Sequence, residues 1–191
     1  DLSGTYQSAT IAKDNLGTDK IAIIDSRNVC SALGLLAVLA AQMRDKGASF
    51  SEIESTIRSY VPRLRLYIVL DTLDYLKRGG RISPTVAFVG GILGLHPIVS
   101  MVEGKVAIQD KAKGRRSANK WLCAKMKEIP KDNSLPMLIG HANAPDRGEA
   151  LKEALLAEGI TDIIGNICMG PIIGTHGGPD MVGIFYIEAA E

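Results

Sequence analysis

Along the chain, apolar residues alternate between short β-rich runs and longer stretches with helical spacing. Residues 4–16 form the first helical stretch, with Ser3 placed as N-cap and Gly17 as its stop. Residues 20–25 (Lys-Ile-Ala-Ile-Ile-Asp) predict a short buried strand closing on Asp25 and Ser26. A second helix is predicted over 29–46, stopped by Gly47. The capping box Ser49-Phe50-Ser51-Glu52 opens a third, which ends near Pro62. After a boundary between Pro62 and Arg65, residues 66–70 read as a strand, and Leu73 and Leu76 share one face of a helical turn. Gly79 and Gly80 end that turn, where glycine supplies positive φ. A small apolar helix is predicted over 85–93. Residues 98–102 and 105–109 then form an antiparallel hairpin about Glu103-Gly104. Helix 117–128, strand 135–141, helix 147–158 with Gly159 as cap, and strand 162–168 make a further β-α-β pattern. Gly170-Pro171 breaks it and leads into a glycine-rich loop, Gly174 to Pro179, before a closing strand over 182–187.

The pattern predicts an α/β protein in two parts. Residues 1–64 read as the remnant of an N-terminal doubly wound domain, and residues 65–191 as a C-terminal α/β domain whose mixed sheet includes the hairpin. The opening Asp1-Leu2-Ser3-Gly4 would normally follow a strand, so further βα units are expected upstream. Surface that such units would bury is expected to favour self-association.

Bulk properties narrow the chemistry. With 46% hydrophobic residues the chain of 191 can build a real core, and a formal net charge of +1 gives no reason to expect nucleic acid or an anionic membrane. Aromatic residues at 5% leave little for base stacking. Cys30, Cys123 and Cys168 lack metal-ligand spacing and sit in apolar surroundings, so buried free thiols in a reducing cytoplasm are expected. No apolar run approaches the ~18 residues of a membrane span.

Candidate chemistry gathers at three places. Arg81, just beyond the paired glycines, can meet a carboxylate or phosphate with two parallel hydrogen bonds. Ser3, Gly4 and Thr5 stand at a helix start, where exposed amides and the helix dipole favour an anion. His176 lies among Gly174, Gly177 and Gly178, which predicts a buried, oriented imidazole. The basic group Lys113-Gly114-Arg115-Arg116 reads either as a solvated edge or as a helix start. A serine hydrolase built on Ser3, His176 and Asp25 has suitable residue types, but Leu2-Ser3-Gly4-Thr5 lacks the G-x-S-x-G elbow. A nucleotide site at Gly79-Gly80-Arg81 lacks both glycine-rich fingerprints.

The run Asp71-Thr72-Leu73-Asp74-Tyr75-Leu76-Lys77-Arg78-Gly79-Gly80-Arg81-Ile82 resembles the signature of the DegV family of bacterial fatty-acid-binding proteins. Leu2-Ser3-Gly4-Thr5-Tyr6, Lys113-Gly114-Arg115-Arg116 and Gly174-Thr175-His176 agree with it in order. The resemblance implies a two-domain DegV-like fold that lacks its first part here. It implies a long-chain fatty acid between the domains, its carboxylate at Ser3, Gly4, Thr5 and His176, with no catalytic residue, metal or cofactor. It further implies a fatty acid kinase as partner, met by Arg81, Arg115 and Arg116, and a product bound for phospholipid synthesis. Gly177 and Asp180 depart from the threonine and glycine the family pattern leads one to expect.

Overall fold

The computed structural model describes residues 2–83 and 94–190. The first half supplies α1 (Thr5–Leu16), α2 (Cys30–Asp45), α3 (Phe50–Tyr60), β1 (Leu64–Val69) and α4 (Asp74–Arg78). The second half begins with β2 (Leu95–Val102), β3 (Lys105–Lys113), α5 (Arg115–Glu128) and β4 (Met137–His141). It continues with α6 (Pro145–Ala157), β5 (Ile163–Cys168), α7 (Pro171–Gly177) and β6 (Val182–Ile187).

The strands form one six-stranded mixed sheet in the order β3-β2-β1-β6-β4-β5. β1 runs antiparallel to both β2 and β6, and β6 antiparallel to β4. β4 and β5 are parallel, and helix α6 makes the crossover that a parallel pair needs. Side chains alternate across the sheet with period 2. Leu64, Leu66 and Ile68 of β1 join Phe185 and Ile187 of β6 in one buried cluster, while Tyr67 and Val69 join Val182, Ile184 and Tyr186 in the other. Strands buried on both faces require a helical layer on each side. On one face, Ala32, Leu35, Leu36 and Leu39 recur at i, i+3, i+4 and i+7 of α2, and Ile57 of α3 joins them. On the other, Ala118, Leu122 and Met126 of α5 and Leu151 and Leu155 of α6 close the core.

The hairpin forms as its turn demands. Glu103 and Gly104 both take positive φ, and Val102 faces Lys105. The capping box is also present: the Ser49 amide donates to the Glu52 carboxylate at 2.8 Å, and the Glu52 amide to the Ser49 hydroxyl at 3.4 Å.

Several expectations need correction. Residues 20–25 form no strand, because no described segment lies alongside to pair with them. The Ile23 carbonyl instead accepts from Arg58 at 3.0 Å, and the chain turns where the Arg27 amide donates to Asp25 at 2.9 Å. α1 starts at Thr5 with Gly4 as N-cap, one residue later than expected, and none of its residues is buried. Residues 174–177, read as part of a loop running from Gly174 to Pro179, instead belong to helix α7, opened by Pro171 at its first turn and closed by Gly178 at φ +82°. Cys168 is exposed on edge strand β5, although Cys123 is buried and burial pushes the Cys30 thiol up to about 12. The helix predicted over 85–93 lies outside the described residues.

Helix α2 shares a buried cluster with β1 and β6 across position 64. Leu35, fully buried there, tests that union. Leu35→Ala is expected to lower the stability of the whole chain by about 2–5 kcal/mol, read as an earlier urea midpoint. A loss confined to the helical signal, with the sheet unfolding at its original midpoint, would show that α2 is not part of the sheet's core.

Candidate functional site

β1 leaves the sheet at Val69, which pairs with Val182 at the start of β6. The segment after β1 and the segment before β6 therefore emerge side by side, and α4 packs against α7 there. Leu73 and Leu76 anchor α4 in the core. Its C-terminal turn is a Schellman motif: the Arg81 amide donates to the Leu76 carbonyl at 2.9 Å, and the Gly80 amide to Lys77 at 3.0 Å. Only Gly80 takes positive φ, at +68°; Gly79 stays right-handed at φ −75°. The turn satisfies carbonyls that a short helix would leave orphaned, and it holds Arg81 in one place.

Arg81 faces inward as a strut. Its Nη1 donates to the Gly79 carbonyl at 2.6 Å and its Nε to the Leu2 carbonyl at 3.2 Å. Ser3 follows directly. Its hydroxyl accepts from the Thr5 amide at 3.2 Å and lies 2.8 Å from the Thr5 hydroxyl, while Ser3, Gly4 and Thr5 are all exposed.

The two short helices interlock through rings set on glycines. A Cβ built on Gly79 would stand 2.1 Å from Nδ1 of His176, and one on Gly178 2.5 Å from the ring of Tyr75. His176 sits in the last turn of α7, with its Nδ1 buried and without a hydrogen-bond partner among the described residues. Leaving a buried polar atom unpaired costs about 1–3 kcal/mol, so its presence calls for an explanation. Arg81 and Gly79 thus link the Ser3 segment to His176 through one turn.

Arg115 and Arg116 occupy the exposed first turn of α5. An Arg115 Nη2 lies 4.0 Å from the Asp180 carboxylate, four residues past His176, whereas Arg116 makes no such link. Sequence reading missed Arg147. Its guanidinium is nearly buried and donates to the Asp180 carbonyl, and burial followed by the charge of Arg115 pulls its pKa below the usual arginine value. An arginine two residues after a helix-opening proline looks like any surface residue, so nothing in the sequence marks it. Tyr75, which fills the space over Gly178, was marked only as a member of the signature run.

Asp25 is elsewhere. It lines an open groove with Tyr6, Ile24, Arg27, Arg58, Val61 and Pro62, and neither Ser3 nor His176 lines that groove. With its carboxylate on the Arg27 amide and His176 Nδ1 unpartnered, Ser3, His176 and Asp25 do not assemble a triad. Among the described residues no group of three or more His, Cys, Asp or Glu side chains could hold a metal ion, and no helix is long and apolar enough to cross a membrane.

Comparison with known proteins identifies relatives of the whole chain. A DegV domain-containing protein of Caldanaerobacter subterraneus subsp. tengcongensis is 40% identical over 98% of this chain and 67% of its own length. The crystal structure of a fatty acid binding DegV family protein from Streptococcus agalactiae is 27% identical, with a TM-score of 0.85 over 100% of this chain and 67% of that one. The Streptococcus pneumoniae fatty acid kinase (Fak) B3 protein, solved loaded with linoleic acid, shares the fold at 22% identity and a TM-score of 0.86, over 98% of this chain and 68% of that one. The chain spans about two thirds of the length of the curated relatives it matches. The DegV family model matches residues 1–189, and the chain belongs to the DegV family.

Proposed function

We propose that this chain is a bacterial cytoplasmic carrier that binds a long-chain fatty acid and presents its carboxylate to a fatty acid kinase, without catalysing a step itself. The observation that carries the reading is the Arg81 strut: it ties the carbonyl before Ser3 to the turn on which His176 rests. A carboxylate leaving water needs donors in return. Gly4, the N-cap of α1, has no side chain to cap the helix, so beyond the Thr5 amide, which the Ser3 hydroxyl engages, the first turn is available to an anion beside the Ser3 and Thr5 hydroxyls. The imidazole of His176, whose Nδ1 lies against Gly79, supplies a further polar contact through Nε2. Ile172, 77% exposed on the same helix as His176, offers apolar surface to the acyl chain. The Streptococcus agalactiae relative, named as fatty acid binding, supports the ligand class.

The kinase handover rests on the sequence resemblance and on charge. Arg81, Arg115 and Arg116 are the cations the reading assigns to an acyl-phosphate and to a partner's phosphate donor, with Arg115 reaching toward Asp180 beyond α7. Exposed Tyr6, Ile11 and Leu16 on α1 support self-association through that helix.

Ser3→Ala or His176→Ala is expected to weaken fatty-acid binding about tenfold or more, the loss of one charge-assisted hydrogen bond. Isothermal titration with oleic acid reads this directly, and unchanged affinity in both variants would remove the head-group site from this place. Arg115→Ala paired with Arg116→Ala is expected to leave that affinity near its original value and to slow acyl-phosphate formation by the kinase. Equal loss of binding and phosphorylation would refute the separate role of these arginines. Sedimentation equilibrium tests the association surface: Leu16→Glu with Ile11→Glu is expected to shift the chain toward monomer, and an already monomeric parent at high concentration would dispose of it.

A further inference from the structure

The two glycines after α4 are glycine for different reasons. Gly80 takes φ +68°, where a side chain is strained, yet nothing lies within 4 Å of the place its Cβ would fill. Gly79 has φ −75° and ψ −6°, ordinary right-handed backbone open to any residue. Its constraint is spatial. A Cβ at 79 would stand 2.1 Å from Nδ1 and 2.9 Å from Cε1 of His176. The Tyr75 carbonyl, at 3.2 Å, is close but tolerable. Nδ1 is buried with no hydrogen-bond partner among the described residues, and the contact that places it is packing against Gly79.

We infer that Gly79 is the positioning residue of the head-group site: the missing Cβ is the seat of the His176 imidazole, and any side chain at 79 displaces the ring. The functional meaning rests on the carboxylate reading given above, whereas the seat itself can be tested without ligand. With Nδ1 turned onto backbone, Nε2 is the nitrogen left to meet a carboxylate. A displaced ring should therefore erode recognition of the head and leave recognition of the tail intact.

A double-mutant cycle on the ligand-free protein decides the structural claim. Gly79→Ala is expected to lower the urea midpoint in the parent and to have little effect once His176→Ala has removed the ring. Gly80→Ala, acting through backbone strain, is expected to lower it equally in both backgrounds. An equal loss for Gly79→Ala in both backgrounds would overturn the seat and point to the Tyr75 carbonyl. Unchanged His176 imidazole resonances in Gly79→Ala would overturn it as well. Binding gives the functional half. The preference of the parent for oleic acid over its methyl ester is expected to fall about tenfold in Gly79→Ala, with ester affinity retained. If His176→Ala keeps the full preference, the carboxylate reading fails while the cycle still stands or falls on its own result.

Discussion

The contact between His176 and the backbone of Gly79 is possible only because the sheet delivers both partners to one end. β1 and β6 are antiparallel neighbours, with Val69 opposite Val182, so the chain leaving β1 and the chain entering β6 share an edge. Antiparallel pairing makes neighbours of α4 and α7 although about a hundred residues separate them in sequence. Hydrogen bonds then continue the register beyond the strands. The Asp180 amide donates to the Ala142 carbonyl at 2.9 Å and the Ala142 amide to Met181 at 3.0 Å, which draws the end of β4 to the same edge. A slip of even one residue would exchange the two buried clusters, which is why the pairing is held so firmly.

Charge is handled at that edge by pairing and not by exposure alone. Arg147 is drawn out of water to hold the Asp180 carbonyl, and its nearness to Arg115 is offset by the Asp180 and Asp71 carboxylates. Asp71 also lies 3.4 Å from Nδ1 of His96, at the start of β2. Asp180 thus has two arginines as neighbours, Arg115 beside its carboxylate and Arg147 on its carbonyl. In the proposed site this engagement offsets the negative charge that Asp180 would otherwise bring.

Local rules made part of this legible in the sequence. The hairpin followed from two turn residues that accept positive φ, the third helix from its capping box, and β1 and β6 from apolar runs of strand-forming residues. What failed was non-local. Ile21 to Ile24 have every propensity for a strand, but a strand exists only where another lies beside it. Gly174, Gly177 and Gly178 argued for a loop by propensity, yet Pro171 starts a helix and packing on α4 retains it, as tertiary context often overrides weak intrinsic preference. The glycine pair shows the same limit in miniature. Sequence identifies two glycines; only the fold separates the one required by its own backbone, Gly80, from the one required by a neighbour's ring, Gly79. Arg147 was unmarked and Tyr75 was marked only as a member of the signature run, because the importance of each lies in what it touches.

A carrier that must release its cargo to an enzyme needs most of its affinity in the tail and its discrimination at the head. Burying one methylene contributes about 0.8 kcal/mol, so a long acyl chain outweighs any single head-group hydrogen bond at about 1.5–3 kcal/mol. The head can then be held by a few exposed groups without loss of retention. The arrangement here fits that division. Ser3, Gly4 and Thr5 are open to solvent, and their segment is tied down by one guanidinium. The His176 ring packs against Gly79, and its Nδ1 has no hydrogen-bond partner among the described residues. On the proposed reading, precision at the head comes from a glycine that lets a ring lie against backbone.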